Sequence, residues 1–514
     1  MFEIKNTVTV VEPTLSDSAS SRDEGGSTNE ATLSRELSPG VVSLLTLGSA
    51  VGTGLIIGSG TALARGGPIS IFLAYLFTGS ILAVVIFSLS EMAAFHPMDR
   101  GFSGYLTKYV DPAFGFAAGW NYFLKYAIVL SANLTAFGLV IGYWRPDINV
   151  AVWVTVLYAN AFVVNFLAVR YFGKLEAFMT VAKLTILLLI FIVCLVITCG
   201  GGPDHTTIGF RYWRESGFLP YLVKGNTGKF LGWWACVIQS IFGFMGSEMI
   251  GIIYGETANP RKTIPKASRN VIIRICVFYI FGVFVLGLAV SPHNAKLVHA
   301  HSTDANASPF VIAISTSGIK VLPSFVNAFL LVFITSSAYT DIYICSRQLY
   351  GLAKDGAAPK IFLRLNKHKI PMVGCVVGSL LGFLAYMNTK KSAATVFGYI
   401  TSTVSVFGIL NWFYILVAYI HYDRVVKSHG VRLDEIPFRM PFQPYAAYIA
   451  LFFVSVITFF NGYSAFILKF NYKLFITSYI GIFANVLLVL GYKLYYKTKW
   501  VKPEEITFEK KQMI

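Results

Sequence analysis

The sequence predicts an all-α membrane protein built from twelve transmembrane helices. Three observations carry that prediction. Of the 514 residues, 55% are hydrophobic and only 13% charged, and the mean hydropathy of +0.63 would leave a soluble chain with large exposed apolar patches. Twelve stretches of about 20 apolar residues recur along the chain, each long enough to cross a bilayer. Two of those stretches are interrupted by clustered glycines, as expected where a membrane helix is broken to form a site.

The twelve stretches lie near 41–63, 68–95, 117–143, 149–168, 175–199, 231–254, 271–291, 322–345, 371–388, 395–420, 445–468 and 473–496. An even number puts both termini on one side. The connections after the second, fourth, sixth, eighth and tenth segments hold most of the loop cations, among them Arg170, Lys174, Arg261, Lys266, Arg347, Lys354, Arg424 and Arg439. By the positive-inside rule that side is cytosolic, and so are both termini. The loop near 200–230 is the longest on the opposite side and weighs less in the rule.

Residues 38–496 form the transporter domain. Residues 1–37 are rich in Ser, Thr and Glu and poor in aromatics, so they are expected to be a disordered cytosolic tail without a signal peptide. The tail at 497–514 is short and charged. The net charge of +17 comes from residues that punctuate the ends of apolar runs rather than from a stripe with interleaved aromatics, which argues against a nucleic-acid partner. Six cysteines sit in or beside apolar segments without metal-type spacing, so neither a metal nor another cofactor is expected.

The first glycine-dense stretch reads GSAVGTGLIIGSG at 48–60. Glycine costs about 1 kcal/mol in a helix interior, and unpaired backbone in hydrocarbon costs more, so a break persists where it lines a cavity. Gly52, Thr53 and Gly54 can offer amide N–H groups at the start of a half-helix, where the macrodipole favours a carboxylate. This suggests a carrier for an anion-bearing metabolite. A second interruption, QSIFGFMGSE at 239–248, falls where an inverted repeat of segments one to five and six to ten requires it, with Gly243 and Gly246 answering Gly52 and Gly54. The alternative is that these glycines only permit close helix packing.

The stretches SAVGTGLIIGSGTALARGGP (49–68), YVDPAFGFAAGWNYF (109–123), GETANPRKTIPKA (255–267) and SRQLYGLAKDGAAPKIF (346–362) resemble the fungal branch of the amino acid–polyamine–organocation superfamily, the yeast amino-acid permeases. Within that branch SANLTAFGLVIGYW (131–144), GGGPDHTTIGFRYW (200–213), AYMN (385–388) and the stretch at 478–499 are most similar to the dicarboxylic permeases, which take up glutamate and aspartate with protons. The resemblance implies a five-plus-five inverted repeat with broken helices 1 and 6 plus two further helices, a proton as coupling ion, and a plasma-membrane address. It also implies ubiquitin-ligase adaptors as partners of the N-terminal tail.

The resemblance places the backbone around Gly52, Thr53 and Gly54 against the substrate carboxylate. Carbonyls near Ser49 and in Phe242-Gly243-Phe244 face its ammonium. Phe244 is then either a gate or an ordinary packing aromatic. Intramembrane charges are expensive and mark function by default, which singles out Lys125, Lys183, Glu248 and Asp341. The resemblance gives Lys183 the place of a sodium ion between helices 1 and 8, where it would load the coupled proton; the alternative is a lysine snorkelling to the interface. Glu248 either takes the proton or caps helix 6, and Asp341 either lines the pathway or pairs with a neighbour.

Three departures from the family bear on the substrate. Asn133 stands where many relatives carry glutamate, removing a repulsion toward an acidic substrate, and Lys125, two turns earlier on nearly the same face, adds a cation or snorkels. Tyr339-Thr340 replaces an Asn-Ser pair. No catalytic, zinc or nucleotide motif is present, so the chain is not expected to be an enzyme, and the Asn133 and Asn306 sequons are discounted as intramembrane and Pro-preceding. The sequence therefore predicts a proton-coupled importer of acidic amino acids. A broad neutral permease and a non-transporting amino-acid sensor on the same fold are the alternatives.

Overall fold

The computed structural model describes residues 52–98, 101–167, 169–203, 205–253, 260–298, 308–389, 393–432 and 436–506. Each apolar run becomes helix in its described part. In chain order these are α1 (Ser59–Gly66, entered through a π turn at Gly54–Gly58), α2 (Pro68–Phe95), α3 (Pro112–Ile141), α4 (Val150–Val164), α5 (Val169–Thr198), α6 (Gly225–Phe244), α7 (Phe281–Ala289), α8 (Leu322–Lys354), α9 (Met372–Leu380), α10 (Ala393–Ser428), α11 (Tyr445–Phe459) and α12 (Tyr472–Tyr496). Upstream of α7, a helix at Pro260–Arg274 runs into it through a π turn at Ile275–Ile280. Past α9 the chain tightens into a 3₁₀ stretch at Leu381–Thr389. No strand occurs among the described residues.

Nine of the described helices are long and apolar enough to span a bilayer, and two more, over Val150–Val164 and Met372–Met387, are shorter apolar helices. The first segment is described only from Gly52 onward, so the part before it, Ser49 included, lies outside the described residues. The described residues thus form an all-α, multi-helix fold with the lengths and apolarity of membrane spans.

Helix α3 is the hub. It packs against α4, α8, α10 and α12, and its buried residues include Asn121, Lys125, Ser131, Asn133 and Thr135. In hydrocarbon such groups must find partners in neighbouring helices. Asn121 Nδ2 donates to the Phe407 carbonyl (2.8 Å) and to Asn411 Oδ1 (2.7 Å) of α10, while Asn485 of α12 donates to Asn121 Oδ1 (2.6 Å). These amides join three helices at one level. At its start α3 is capped by Asp111, which accepts from the Ala113 N–H (2.8 Å). Asp111 also accepts from Lys493 Nζ (2.6 Å) and Thr498 Oγ1 (2.8 Å), so the stretch after α12 is held against the end of α3.

Outside this core, α11 and α12 present Phe452, Phe483, Leu487 and Leu490 outward. Large exposed apolar side chains at this density suit a lipid-facing surface.

Candidate functional site

The break in α6 is built by two residues. The helix ends at Phe244, Met245 leaves helical geometry with ψ 145°, and Gly246 takes φ 90° before a 3₁₀ turn at Ser247–Met249. A left-handed φ favours glycine because a Cβ there costs roughly 1–2 kcal/mol. Facing this break, the described part of the first segment starts at Gly52 and winds into a π turn, a form that recurs at functional sites.

The two segments touch backbone to backbone. A Cβ on Gly54 would stand 2.7 Å from Gly243 Cα and 2.8 Å from the Phe242 carbonyl carbon, contacts no side chain survives. Gly52 is less crowded; a Cβ there would meet Ser337 Oγ at an ordinary 3.4 Å. Gly54 is therefore required by the crossing of the two segments, so the packing reading of that glycine applies to it.

Between them lies a cavity of ≈ 40 Å³, room for about three waters. Its wall brings together Gly52, Thr53 and Gly54 from the first segment, Phe242, Gly243 and Gly246 from the sixth, Lys125 and Asn133 from α3, and Thr340 and Asp341 from α8. Those ten were singled out in the sequence. Tyr126, Val129, Met245 and Ser337 complete the wall and were missed. Helical spacing could have found three of them, since Tyr126 and Val129 precede Asn133 by seven and four positions and Ser337 precedes Asp341 by four. Met245 sits in the break itself. An amino acid needs more room than three waters, and Met245, with its flexible thioether, is the wall residue most readily displaced.

A hydrogen-bonded line crosses the wall. Thr53 Oγ1 donates to Asn133 Oδ1 (3.1 Å), and Asn133 Nδ2 donates to Asp341 Oδ2 (2.7 Å). One amide thus links the first segment, α3 and α8. Asp341 both lines the cavity and pairs with a neighbour, so the two expected readings coexist.

The remaining charges are matched in pairs. Lys125 and Glu248 form an ion pair with both side chains fully buried, and the Lys125 ammonium lies 4.4 Å from the ring centre of Tyr126. Glu248, expected either to take the proton or to cap helix 6, has one carboxylate oxygen engaged by a lysine on another helix. Lys125 does not snorkel. Lys183 donates to Ser336 Oγ (2.7 Å) and stands 3.5 Å from Glu176 Oε1, and Ser336 in turn donates to Glu176. This cluster ties α5 to α8 away from the cavity wall. The lysine is fully buried, which corrects the interfacial alternative.

Two further corrections concern aromatics. Phe244 is off the cavity wall, its ring 5.4 Å from Tyr75 and 4.7 Å from Tyr279. Two residues along a helix turn the side chain by about 200°, so Phe242 reaches the cavity and Phe244 packs behind it. The gate expected of Phe244 is therefore not where this side chain lies. Tyr339 reaches α4 and donates to Asn160, while Asn165 Nδ2 donates to its carbonyl (3.1 Å). Its departure from the family pattern concerns packing of α8 on α4. Among the described residues, no cluster of three or more His, Cys, Asp or Glu could hold a metal ion.

The profile of the amino acid permease family matches residues 41–504. The chain belongs to the amino acid permease family. Among the relatives of this permease, an uncharacterized amino-acid permease of Schizosaccharomyces pombe is 52% identical over 509 residues, covering 98% of this chain and 96% of the relative. A dicarboxylic amino acid permease of Saccharomyces cerevisiae is 40% identical over 504 residues, 96% of this chain and 83% of the relative. A lysine-specific permease of the same yeast is 36% identical, over 91% of this chain and 77% of the relative. In three dimensions the permease is similar to the crystal structure of a manganese transporter from Eremococcus coleocola, with a TM-score of 0.57, 10% identity, and coverage of 89% of this chain and 93% of that one. That last likeness concerns the fold alone.

Proposed function

We propose that this permease imports acidic amino acids, glutamate and aspartate, together with protons. The observation that carries the reading is the wall between the first segment and the α6 break, where half-helix backbone at Gly52–Gly54 can receive an α-carboxylate and a lysine, Lys125, lies within reach of a second one. The 40% identity to a dicarboxylic amino acid permease over 83% of its length supports the choice of substrate. Carbonyls of Phe242 and Gly243 at the end of α6 are the acceptors for the substrate ammonium. The excess of Lys and Arg in alternate connections supports cytosolic termini, and we place the protein in the plasma membrane, with ubiquitin-ligase adaptors acting on residues 1–37.

One observation favours a second reading, a broad neutral amino-acid permease. Lys125 is already balanced by Glu248, and Asp341 adds a carboxylate to the same wall, so the site carries no surplus positive charge for a second substrate carboxylate. Competition separates the two. Uptake of radiolabelled glutamate by cells expressing this chain, challenged with each other amino acid, should be suppressed mainly by aspartate and glutamate; equal suppression by alanine, serine and proline would favour the neutral permease.

A further inference from the structure

Two ionisable side chains, Lys125 and Asp341, line the cavity and three more, Glu248, Lys183 and Glu176, are buried beyond its wall; they are unequally matched. Lys125 has Glu248, and Lys183 has Glu176. Asp341 is the odd one. Its Oδ2 accepts the Asn133 amide at 2.7 Å, and among the described residues it forms no ion pair of its own, although it is only 4% exposed.

Among the described residues, the cations nearest Asp341 are each already paired with another carboxylate. Helix α3 presents Lys125 with Tyr122 and Tyr126, the turn after the α6 break presents Glu248, and α5 presents Glu176 and Lys183. The helices α4 and α9, which also pack on α8, carry no charged residue over Val150–Val164 and Met372–Leu380; Tyr158 and Cys375 are their titratable groups. On α8 itself Cys345 lies one turn further along and Arg347 lies over the ring of Tyr343, 3.4 Å from its centre. A buried carboxylate without a cation of its own is costly, and the approach of a second carboxylate raises that cost, which a proton relieves.

We propose that Asp341 is the group that carries the coupled proton, taking it on Oδ1 when an acidic side chain enters the cavity. This inference rests on the acidic-substrate reading above. The proton comes from water on the side where substrate enters and sits on Oδ1, leaving Oδ2 to accept from Asn133 as before; it returns to water on the other side when the substrate leaves. No other bond changes. With Lys125 paired to Glu248, the wall carries one net negative charge while Asp341 is ionised, so a substrate bearing an extra carboxylate meets repulsion that protonation removes. Binding of the acid and binding of the proton then favour each other reciprocally. Through Asn133, Asp341 is also joined to Thr53 in the first segment.

The test measures proton uptake on substrate binding by the purified full-length protein, followed with a pH-indicator dye. Binding of glutamate should take up about one proton per substrate, and binding of glutamine clearly less. In Asp341→Asn, proton uptake per bound glutamate should fall roughly tenfold. Should Asp341→Asn bind no glutamate, Asp341→Glu must bind it and take up the proton. The proposal is overturned by undiminished proton uptake in Asp341→Asn, by Asp341→Glu binding without proton uptake, or by neither variant binding glutamate. Failure of the acidic reading is a separate outcome. The unmutated protein would then bind neutral or basic amino acids and ignore glutamate.

Discussion

Lys125 in α3 and Glu248 just past the break in α6 form an ion pair in which both side chains are fully buried, although they are 123 positions apart in sequence. The pair fixes the far half of the broken helix to the hub of the bundle. Breaking a buried pair leaves a bare charge and costs about 3–5 kcal/mol, whereas replacing both partners costs much less. Lys125→Met and Glu248→Gln should each lower the melting temperature of the detergent-purified protein, and the double variant should recover most of the loss. Additive losses in the double variant would show that the two residues do not depend on each other.

The crossing of the first and sixth segments predicts unequal tolerance of two glycines two positions apart. Gly54→Ala should abolish uptake, because its Cβ would collide with rigid backbone at Phe242 and Gly243. Gly52→Ala, with only ordinary contact to Ser337, should retain at least half of the uptake. Surface delivery is followed by antibody labelling of an external tag. Similar uptake by the two variants at matched surface levels would contradict the crossing argument.

Asn133 separates Thr53 from Asp341, so its replacement by a carboxylate is a selective insult. Two carboxylates about 4 Å apart repel by roughly 4 kcal/mol at an effective dielectric of 20, and an acidic substrate would add a third. Asn133→Glu should weaken glutamate and aspartate uptake more than alanine uptake, by a factor of ten or so. Equal loss of acidic and neutral substrates would reduce Asn133 to helix packing.

The Lys183–Glu176–Ser336 cluster is expected to act as a tie between α5 and α8. Lys183→Met alone should destabilise the protein, and Glu176→Gln added to it should restore stability and leave proton uptake on glutamate binding in place. A folded double variant that binds glutamate without taking up a proton would move the coupled proton from Asp341 to this cluster.

Much of this architecture was legible in the sequence because hydrocarbon imposes a strong constraint: a spanning segment must be long, apolar and helical, and each of the twelve runs became helix in its described part. The α6 break was legible for the same reason, since Gly243 and Gly246 are conspicuous inside an apolar run. Of the ten wall residues found from the sequence, those of the first and sixth segments followed from the clustered glycines, Lys125 and Asp341 from charges that hydrocarbon penalises, and Asn133 and Thr340 from the family resemblance. Partnership was legible only in part. Nothing local to Lys125 points to Glu248, whereas Glu176, seven positions before Lys183 on the same helix, could have been found by spacing. The side of a helix on which an aromatic falls was also misread for Phe244, because the family role was attached to a tripeptide whose first and last residues face nearly opposite ways.

The central claim is proton-coupled import of acidic amino acids, and its most direct test is radiolabelled glutamate accumulation by proteoliposomes of the purified chain across an imposed pH gradient. The account predicts accumulation several-fold above equilibrium when the outside is acidic, its collapse on adding a protonophore, and competition by aspartate but not by lysine or proline. Glutamate entry that only equilibrates, unchanged by the gradient or the protonophore, would contradict it.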